Sequence, residues 1–212
     1  MKTSERILMV SLTLFNTHGE PNVSSVDIAN EMDISPGNLY YHFKGKETII
    51  SSLFEMYRQR MSKILLAPNK EDLSLDDFFY YLLMILETSN LFIFLYRNPT
   101  ELSEKYPQVA KGLSRMLSAK KKVFQQCIES FTKQQKLFGD KAQQQQMVEL
   151  IGLVCTQSPN YHLMLGEDIT EGNYVYGSLA IILFALAPYM NIDKEIYQDL
   201  HQSITSQQLK SV

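Results

Sequence analysis

Few of the residues that mark disulfide-rich, metal-binding or catalytic proteins occur in this 212-residue sequence. It has two cysteines, Cys127 and Cys155, which lie far apart and outside CxxC or metal-ligand spacing. This scarcity favours two buried thiols in a cytoplasmic chain over a disulfide or a redox sensor. The four histidines also lack metal-ligand spacing, and the motifs HExxH, GxSxG, GxGxxG and the P-loop are missing. We therefore expect no metal, no cofactor and no enzymatic activity, with an enzyme on a helical scaffold as the less favoured alternative.

An excess of positive charge and a long hydrophobic run are missing as well. The 20 Lys and Arg residues are outnumbered by 23 Asp and Glu, and a net charge of −3 argues against a protein that coats DNA nonspecifically. Residues 172–192 carry no charge, but their continuous apolar part, 179–187, is far too short to span a bilayer. We therefore expect no membrane partner. Hydrophobic residues make up 45% of the chain, which is ample for a folded core.

Residues 23–46 carry the pattern of a helix-turn-helix. Ser24, followed three residues later by Asp27, is a helix-start signature, and apolar residues then recur at helical spacing. After a break, Ser35 can cap a second short helix that begins at Pro36 and ends near residue 42. Two short helices joined by a tight turn can place the second helix in the major groove of DNA.

The exposed side of this second helix is predicted to carry groups suited to DNA. Asn38 can donate and accept hydrogen bonds at a base edge, and the open N–H groups of a helix start can hold a phosphate. Lys46 adds a cation beside the phosphate backbone. The predicted DNA contacts are Ser24, Ser25, Ser35, Pro36, Gly37, Asn38, Tyr40, Tyr41, His42 and Lys46. A small helical domain with no role in DNA binding can share such features, so that alternative stays open.

The string ISPGNLYYHFKGKE at residues 34–47 closely resembles the signature of the TetR family of bacterial transcriptional regulators. The resemblance covers residues 3–55. It implies an all-α fold, with an N-terminal three-helix domain that contains the helix-turn-helix and a larger C-terminal helical bundle. The implied domains are 1–46 for DNA binding and 47–212 for ligand binding and dimerisation, connected by a helix at 46–66. One short helix offers few contacts, so we expect a homodimer whose two copies read a palindromic operator about 34–36 Å apart.

Helical periodicity in the second half predicts helices over residues 75–96, 107–137, 141–156 and 171–187, with a long loop at 157–169. Gly177 lets a partner helix come close, so the last two of these helices are predicted to form a four-helix dimer contact, as in the TetR family. The predicted interface residues are Leu150, Val154, Tyr174, Gly177, Ile181 and Phe184. The alternative is that the apolar helix serves only as a core element of one chain.

The resemblance further implies an effector cavity in the second domain. Methionine and aromatic residues are plentiful there and suit an adaptable apolar pocket, although such stripes at helical spacing more often form ordinary core. The predicted ligand-binding residues are Tyr80, Leu83, Met84, Phe92, Arg97, Met116 and Met147. We expect a cytoplasmic, sequence-specific repressor that releases its operator on binding a small hydrophobic effector. The alternative is an effector-independent DNA-binding protein whose C-terminal domain only dimerises or recruits a partner.

Overall fold

The computed structural model describes residues 2–66, 73–169, 172–207 and 209. Within them the chain forms eleven α-helices, two short 3-10 helices and no β-strand, which confirms the predicted all-α class. The helices are α1 (Thr3–His18), α2 (Ser25–Glu31), α3 (Pro36–His42), α4 (Lys46–Leu66), α5 (Leu75–Leu91), α6 (Phe94–Arg97), α7 (Pro99–Lys105), α8 (Pro107–Lys133), α9 (Lys141–Met164), α10 (Tyr174–Leu186) and α11 (Lys194–Thr205).

The chain divides into two compact units. The first comprises Met1–Arg60 and Leu91–Ser114, and the second comprises Met61–Asn90 and Arg115–Val212. Helices α4 and α8 each contribute residues to both units. The first unit thus holds more than the predicted DNA-binding segment 1–46, because residues 91–114 pack with it. The functional boundary at residue 46 stays a prediction.

The first unit is built on apolar faces of α1 to α4. Ile7 and Phe15 of α1 are fully buried, as is Ile28 of α2, so these helices enclose one small core. α1 ends at Gly19, whose φ of 82° lies in the left-handed region and whose N–H donates to the Phe15 carbonyl. The observed bounds of α3 and α4 match the predicted second motif helix and the predicted helix 46–66.

The second unit has its core among α5, α8, α9 and α10. α5 is apolar on most sides and buries nine of its seventeen residues, in keeping with Glu87 as the single charged residue between residues 78 and 91. α10 packs against α9 and α11 and is nearly uncharged. None of the helices in the described ranges is both long and apolar enough to cross a membrane.

The predicted helix 75–96 is wrong at its end, because α5 stops at Leu91 and α6 begins at Phe94. The reason lies 75 residues away in α1, within the first unit. The Asn16 amide donates to the Leu91 carbonyl at 2.9 Å, and its oxygen accepts from the Phe94 N–H at 3.2 Å. One side chain thereby satisfies the backbone groups that the break leaves open.

The predicted loop 157–169 is also wrong over its first half, because α9 continues through Pro159 to Met164. A proline inside a helix removes one backbone hydrogen bond and ordinarily favours a break there. Here Pro159 is buried, and α9 packs along α10, so burial outweighs the lost bond. The predicted helix 107–137 ends early, at Lys133, because Leu137 pairs with Met190 in an isolated bridge. The predicted first residue of the following helix, Glu171, lies outside the described residues.

Candidate nucleic-acid interface

The turn between α2 and α3 is held by local hydrogen bonds. α2 begins with a reciprocal capping box, in which Ser24 Oγ accepts from the Asp27 N–H at 3.2 Å and the Asp27 carboxylate accepts from the Ser24 N–H at 2.8 Å. The Ser24 hydroxyl also donates to this carboxylate at 2.7 Å, and this bond, followed by that of the Ser24 N–H, lowers the pKa of Asp27. Asp33 then adopts a left-handed φ of 55°, and the Ile34 N–H returns to the Ala29 carbonyl at 3.0 Å.

α3 is short, and it is fixed at both ends and on its inner side. Ser35 Oγ accepts from the Asn38 N–H at 3.2 Å, and Pro36 occupies the first helical position. Leu39 is only 2% exposed and anchors the helix to the core of the unit. The Phe43 N–H donates to the Leu39 carbonyl at 2.9 Å and closes the last turn. The outer face of α3 is therefore presented in a defined orientation.

That outer face holds most of the predicted DNA contacts. Tyr40 is 57% exposed and Tyr41 is 78% exposed, which are unusually high values for aromatic side chains. Tyr41 and His42 stand edge to face with ring centres 5.3 Å apart. The exposed residues among the predicted contacts are Ser24, Ser35, Pro36, Gly37, Asn38, Tyr40, Tyr41 and His42, and the half-buried ones are Ser25 and Lys46.

Lys46 is engaged inside the first unit. Its ammonium lies 2.6 Å from Glu20 Oε1 and donates to the Glu20 carbonyl at 2.6 Å, and it lies 5.7 Å from the centre of the Phe15 ring. The Glu20 side chain is only 7% exposed, and its carboxylate also accepts from the Tyr106 hydroxyl at 2.6 Å. The Lys46 ammonium therefore ties the start of α4 to the short 3-10 helix Glu20–Asn22 that follows α1.

Lys44 is the cation that the sequence reasoning left out. It is exposed, and its Nζ lies 4.7 Å from the centre of the Tyr40 ring. Lys44 lies two residues beyond the end of α3, so its contact with Tyr40 depends on the direction of the chain after the helix, and helical spacing gave no signal for it. Lys44 therefore lies beside the exposed aromatic side chains of α3.

The predicted ligand-binding residues do not all fall in one unit. Phe92 and Arg97 belong to the first, where the Phe92 ring lies 5.7 Å from that of Tyr57 and Arg97 Nη1 donates to the Asn16 carbonyl at 2.6 Å. The others lie in the second unit, with Tyr80 and Met84 half-buried and three buried: Leu83, Met116 and Met147. Their role in ligand binding stays a prediction.

A groove of about 450 Å³ in the second unit involves other residues. It runs between α8 and the start of α9 and has a largely polar lining: Gln125, Ile128, Glu129, Lys141, Gln144, Gln145 and Val148. None of these was predicted as a ligand contact. Its open, glutamine-rich wall differs from the enclosed apolar pocket that the sequence led us to expect.

The predicted interface residues of α10 present an exposed apolar stripe. Ile181 is 51% exposed and Phe184 is 76% exposed, and a Cβ added to Gly177 would meet no atom within 4 Å. Tyr174 differs, because it is 5% exposed and its hydroxyl donates to Asn90 at 3.1 Å. Leu150 and Val154 of α9 are half-buried. Exposed apolar residues that were not predicted follow the same helix and its end: Leu153, Tyr161, Met164 and Leu165.

Two profiles of one protein family match this chain. The profile of a family described as TetR, a bacterial transcriptional repressor, matches residues 56–195, and a profile of the N-terminal region of tetR-family bacterial regulatory proteins matches residues 7–53. The chain belongs to the TetR family. The resemblance found in the sequence is thus confirmed, and the protein is a transcriptional regulator with a helix-turn-helix DNA-binding domain.

Individual TetR-family and related proteins are similar over different lengths. An uncharacterized HTH-type transcriptional regulator of Xanthobacter autotrophicus is 35% identical over 57 residues, which is 27% of this chain and 28% of that protein. A TetR-family regulator from Marinobacter aquaeolei VT8 has a TM-score of 0.83 at 23% identity, covering 96% of this chain and 99% of its own. SmeT in complex with triclosan has a TM-score of 0.59 at 13% identity, covering 89% and 92%. At such identities the two structures show a shared fold.

Proposed function

We propose that this TetR-family protein binds a palindromic operator as a homodimer, in the cytoplasm, with one α3 helix in each of two successive major grooves. The observation that carries the proposal is the outer face of α3. Two aromatic side chains, Tyr40 and Tyr41, stand exposed on a helix that is capped by Ser35 and anchored by Leu39. Large aromatic side chains held in water by a rigid helix have no role in the core of this unit, and base edges and phosphates are partners that suit them.

Dimerisation follows from the small number of contacts that one α3 can make. Seven residues reach only a few base pairs, so tight and specific binding needs a second copy one helical turn away. The exposed stripe of Gly177, Ile181 and Phe184 on α10 supports such pairing, because small and apolar residues let two helices approach closely. Because the net charge is −3, affinity for DNA must come from a few positioned contacts and not from a broad positive field.

We further propose that the protein releases its operator when it binds a small hydrophobic effector. The complex of SmeT with triclosan shows that a protein of this fold holds a small molecule. In a population shift, the effector stabilises a conformation whose α3 helices no longer match adjacent grooves. An almost complete switch requires about 10⁴-fold tighter binding of the effector to the released state. The expected sign is repression.

A second candidate is an effector-independent regulator whose second domain only dimerises or recruits a partner. It is favoured by the burial of four predicted lining residues, Leu83, Phe92, Met116 and Met147. Mass spectrometry of the purified native protein separates the two candidates. A co-purified small molecule, or DNA release by a fraction of cellular metabolites, supports the first. DNA binding that no metabolite fraction changes supports the second.

The test of DNA recognition is a selection of duplexes from a random library, followed by affinity measurements on the selected site. We expect an inverted repeat with half-sites one helical turn apart. His42→Ala and Tyr41→Ala should each weaken binding by about 1–3 kcal/mol per half-site, the range of one lost base contact. His201→Ala is the matched control, because His201 is an exposed histidine on α11. An equal loss with His201→Ala, or no selected sequence, contradicts the proposal.

A further inference from the structure

The groove between α8 and the start of α9 carries two opposite charges that do not meet. Glu129 of α8 and Lys141 of α9 are both exposed, and both line the groove. Within the described residues no ion pair joins them. The Glu129 carboxylate accepts one hydrogen bond, from Gln125 Nε2 at 2.9 Å, and the Lys141 ammonium donates none. An anion and a cation on the walls of one groove of about 450 Å³ are therefore both open to a partner from solution.

The charged side chains beside the groove are already paired. Lys121 of α8 forms an ion pair with Glu149 of α9, and Gln145 Nε2 donates to the same carboxylate at 2.9 Å. The hydrogen bond from Lys121 lowers the pKa of Glu149. The charges of this neighbouring pair cancel, so the field inside the groove is set by Glu129 and Lys141, the charged members of its lining.

Three glutamines add neutral hydrogen-bonding groups to the same lining. Gln125 and Gln145 each donate an amide N–H to a neighbouring carboxylate at 2.9 Å, and Gln144 donates to the Gly139 carbonyl at 2.9 Å. Their amide oxygens accept no hydrogen bond within the described residues. An ammonium group has three donors and no acceptor, so a carboxylate and amide oxygens together satisfy it.

We propose that this groove binds the zwitterion of an α-amino acid with an apolar side chain. The ligand ammonium binds the Glu129 carboxylate and the adjacent amide oxygens, and the ligand carboxylate binds the Lys141 ammonium. Ile128 and Val148, which are 1% and 2% exposed, form an apolar floor for the ligand side chain. The volume is within the range of small-molecule sites. The proposal does not rest on the effector response proposed above.

The proposed dimer leaves this groove open. On α9 the groove is lined by Lys141, Gln144, Gln145 and Val148, and the predicted interface lies at Leu150 and Val154. Val148 and Leu150 are two positions apart, which is about 200° around a helix with 3.6 residues per turn. The groove and the predicted interface therefore occupy nearly opposite sides of α9, and a second copy that packs on one does not cover the other.

The test uses the full-length protein and three probes that share one apolar side chain, with binding followed by ligand-detected NMR titration at low salt. L-leucine carries both charges, 4-methylpentanoate lacks the ammonium, and 3-methylbutylamine lacks the carboxylate. We expect leucine to bind at least about 5-fold tighter than either analogue, the effect of one solvent-exposed charge pair. Added salt should reduce this ratio, because it screens both contacts.

Charge reversal shows whether these two side chains select the ligand. Lys141→Glu should change the preference to 3-methylbutylamine, and Glu129→Lys should change it to 4-methylpentanoate. The double variant Glu129→Lys with Lys141→Glu should bind leucine again, with its two charged ends exchanged. Lys122→Glu is the matched control, because Lys122 is exposed on α8 and does not line the groove. A purely structural role for either residue would change thermal stability and leave the order of the three probes unchanged.

Several results overturn the proposal. The absence of saturable leucine binding does so, as does equal binding of leucine and the two analogues. An order of the probes that is the same in both single reversals also does so, and so does a loss with Lys122→Glu as large as that with Lys141→Glu. Operator binding is measured separately on the same samples, so a failure of DNA recognition leaves these outcomes readable.

Discussion

Removal of the Lys46 ammonium is expected to destabilise the first unit as well as to alter DNA binding. In the structure this group contacts both the carboxylate and the carbonyl of Glu20 at 2.6 Å, and Tyr106 donates to the same carboxylate. The Glu20 side chain is 7% exposed and that of Lys46 is 20% exposed. Among the residues that the structure describes, Lys46→Met therefore leaves the nearly buried Glu20 carboxylate with only the Tyr106 hydroxyl as a side-chain hydrogen-bond partner.

The size of the loss follows from this burial. Breaking a fully buried pair costs about 3–5 kcal/mol, and a solvent-exposed pair contributes about 0–1 kcal/mol. The retained Tyr106 hydrogen bond and the partial exposure of Lys46 place the expected loss near 2 kcal/mol. For a chain of this size, that lowers the midpoint of thermal unfolding by about 4–8 °C.

The assay is thermal unfolding followed by the helical circular dichroism signal. Lys44→Met is the matched control, because Lys44 lies two residues away, is exposed, and only stacks on Tyr40. We expect Lys44→Met to change stability by less than about 0.5 kcal/mol and to weaken DNA binding, as loss of a phosphate contact would. The double variant Glu20→Gln with Lys46→Met should lose less stability than the two single changes added together.

Two outcomes would refute this reasoning. If Lys46→Met unfolds at the temperature of the unmodified protein and only loses DNA affinity, Lys46 acts at phosphates and its contact with Glu20 contributes nothing. If Lys44→Met destabilises the protein as much as Lys46→Met does, both effects come from general charge and not from the buried contact. Lys44→Met and Lys46→Met change the composition and net charge of the protein in the same way, so a difference in their stability must come from the positions of the two lysines.

The hydrogen bond from Tyr106 to Glu20 predicts that the stability of the protein depends on pH in the alkaline range. Burial, together with the hydrogen bond to Glu20, raises the pKa of Tyr106 above its ordinary value of 10.0. A tyrosine whose pKa is higher in the folded state contributes stability below pH 10, and this stability is lost as the pH rises further. Tyr106→Phe should therefore reduce stability at neutral pH and flatten its decline above pH 10. An unchanged decline in this variant would show that another group titrates there.

Three further predictions concern other parts of the chain. Gly112→Ala gains about 1 kcal/mol of helix propensity, but the new Cβ would lie 2.5 Å from the Phe54 ring, so we expect a net loss of about 1 kcal/mol in chemical denaturation. Cys155, with its thiol pKa near 12, should resist alkylation at neutral pH until the protein unfolds, and rapid labelling of native protein would contradict its burial. Gly177→Leu should dissociate the dimer in light scattering, while Phe138→Leu, at an exposed position outside α10, should not.

The helix-turn-helix was predictable because its determinants are neighbours in sequence. The caps at Ser24 and Ser35, the proline at the first position of α3 and the turn before it act over three or four residues. Because these interactions involve only neighbouring residues, the local sequence is sufficient to predict them. The bounds of α3 followed from them, and so did the exposure of the polar groups on α3.

Local sequence predicted only part of the candidate DNA-binding site. Sequence spacing placed Lys46 beside α3 and therefore suggested a phosphate contact. Its partner Glu20 lies 26 residues earlier, and no local pattern indicates that their side chains meet. Lys44 was passed over because its stacking on Tyr40 depends on the direction of the chain after α3. Tyr174 shares the helix of the exposed stripe and lies near the same face as Ile181, but it is buried and its hydroxyl donates to Asn90, 84 residues earlier in the chain.

Local sequence therefore determined the order and chemistry of most helices in this protein, including α3. Tertiary packing decided that α5 ends at Leu91 and that α9 continues through Pro159. It also decided that Lys46 pairs with Glu20 while Lys44 stays exposed, and that Lys120 and Tyr81 are buried within the second unit. The physical reason is the same in each case. Capping and periodicity are satisfied within a few residues, whereas burial and ion pairing depend on groups that folding brings together from distant parts of the chain.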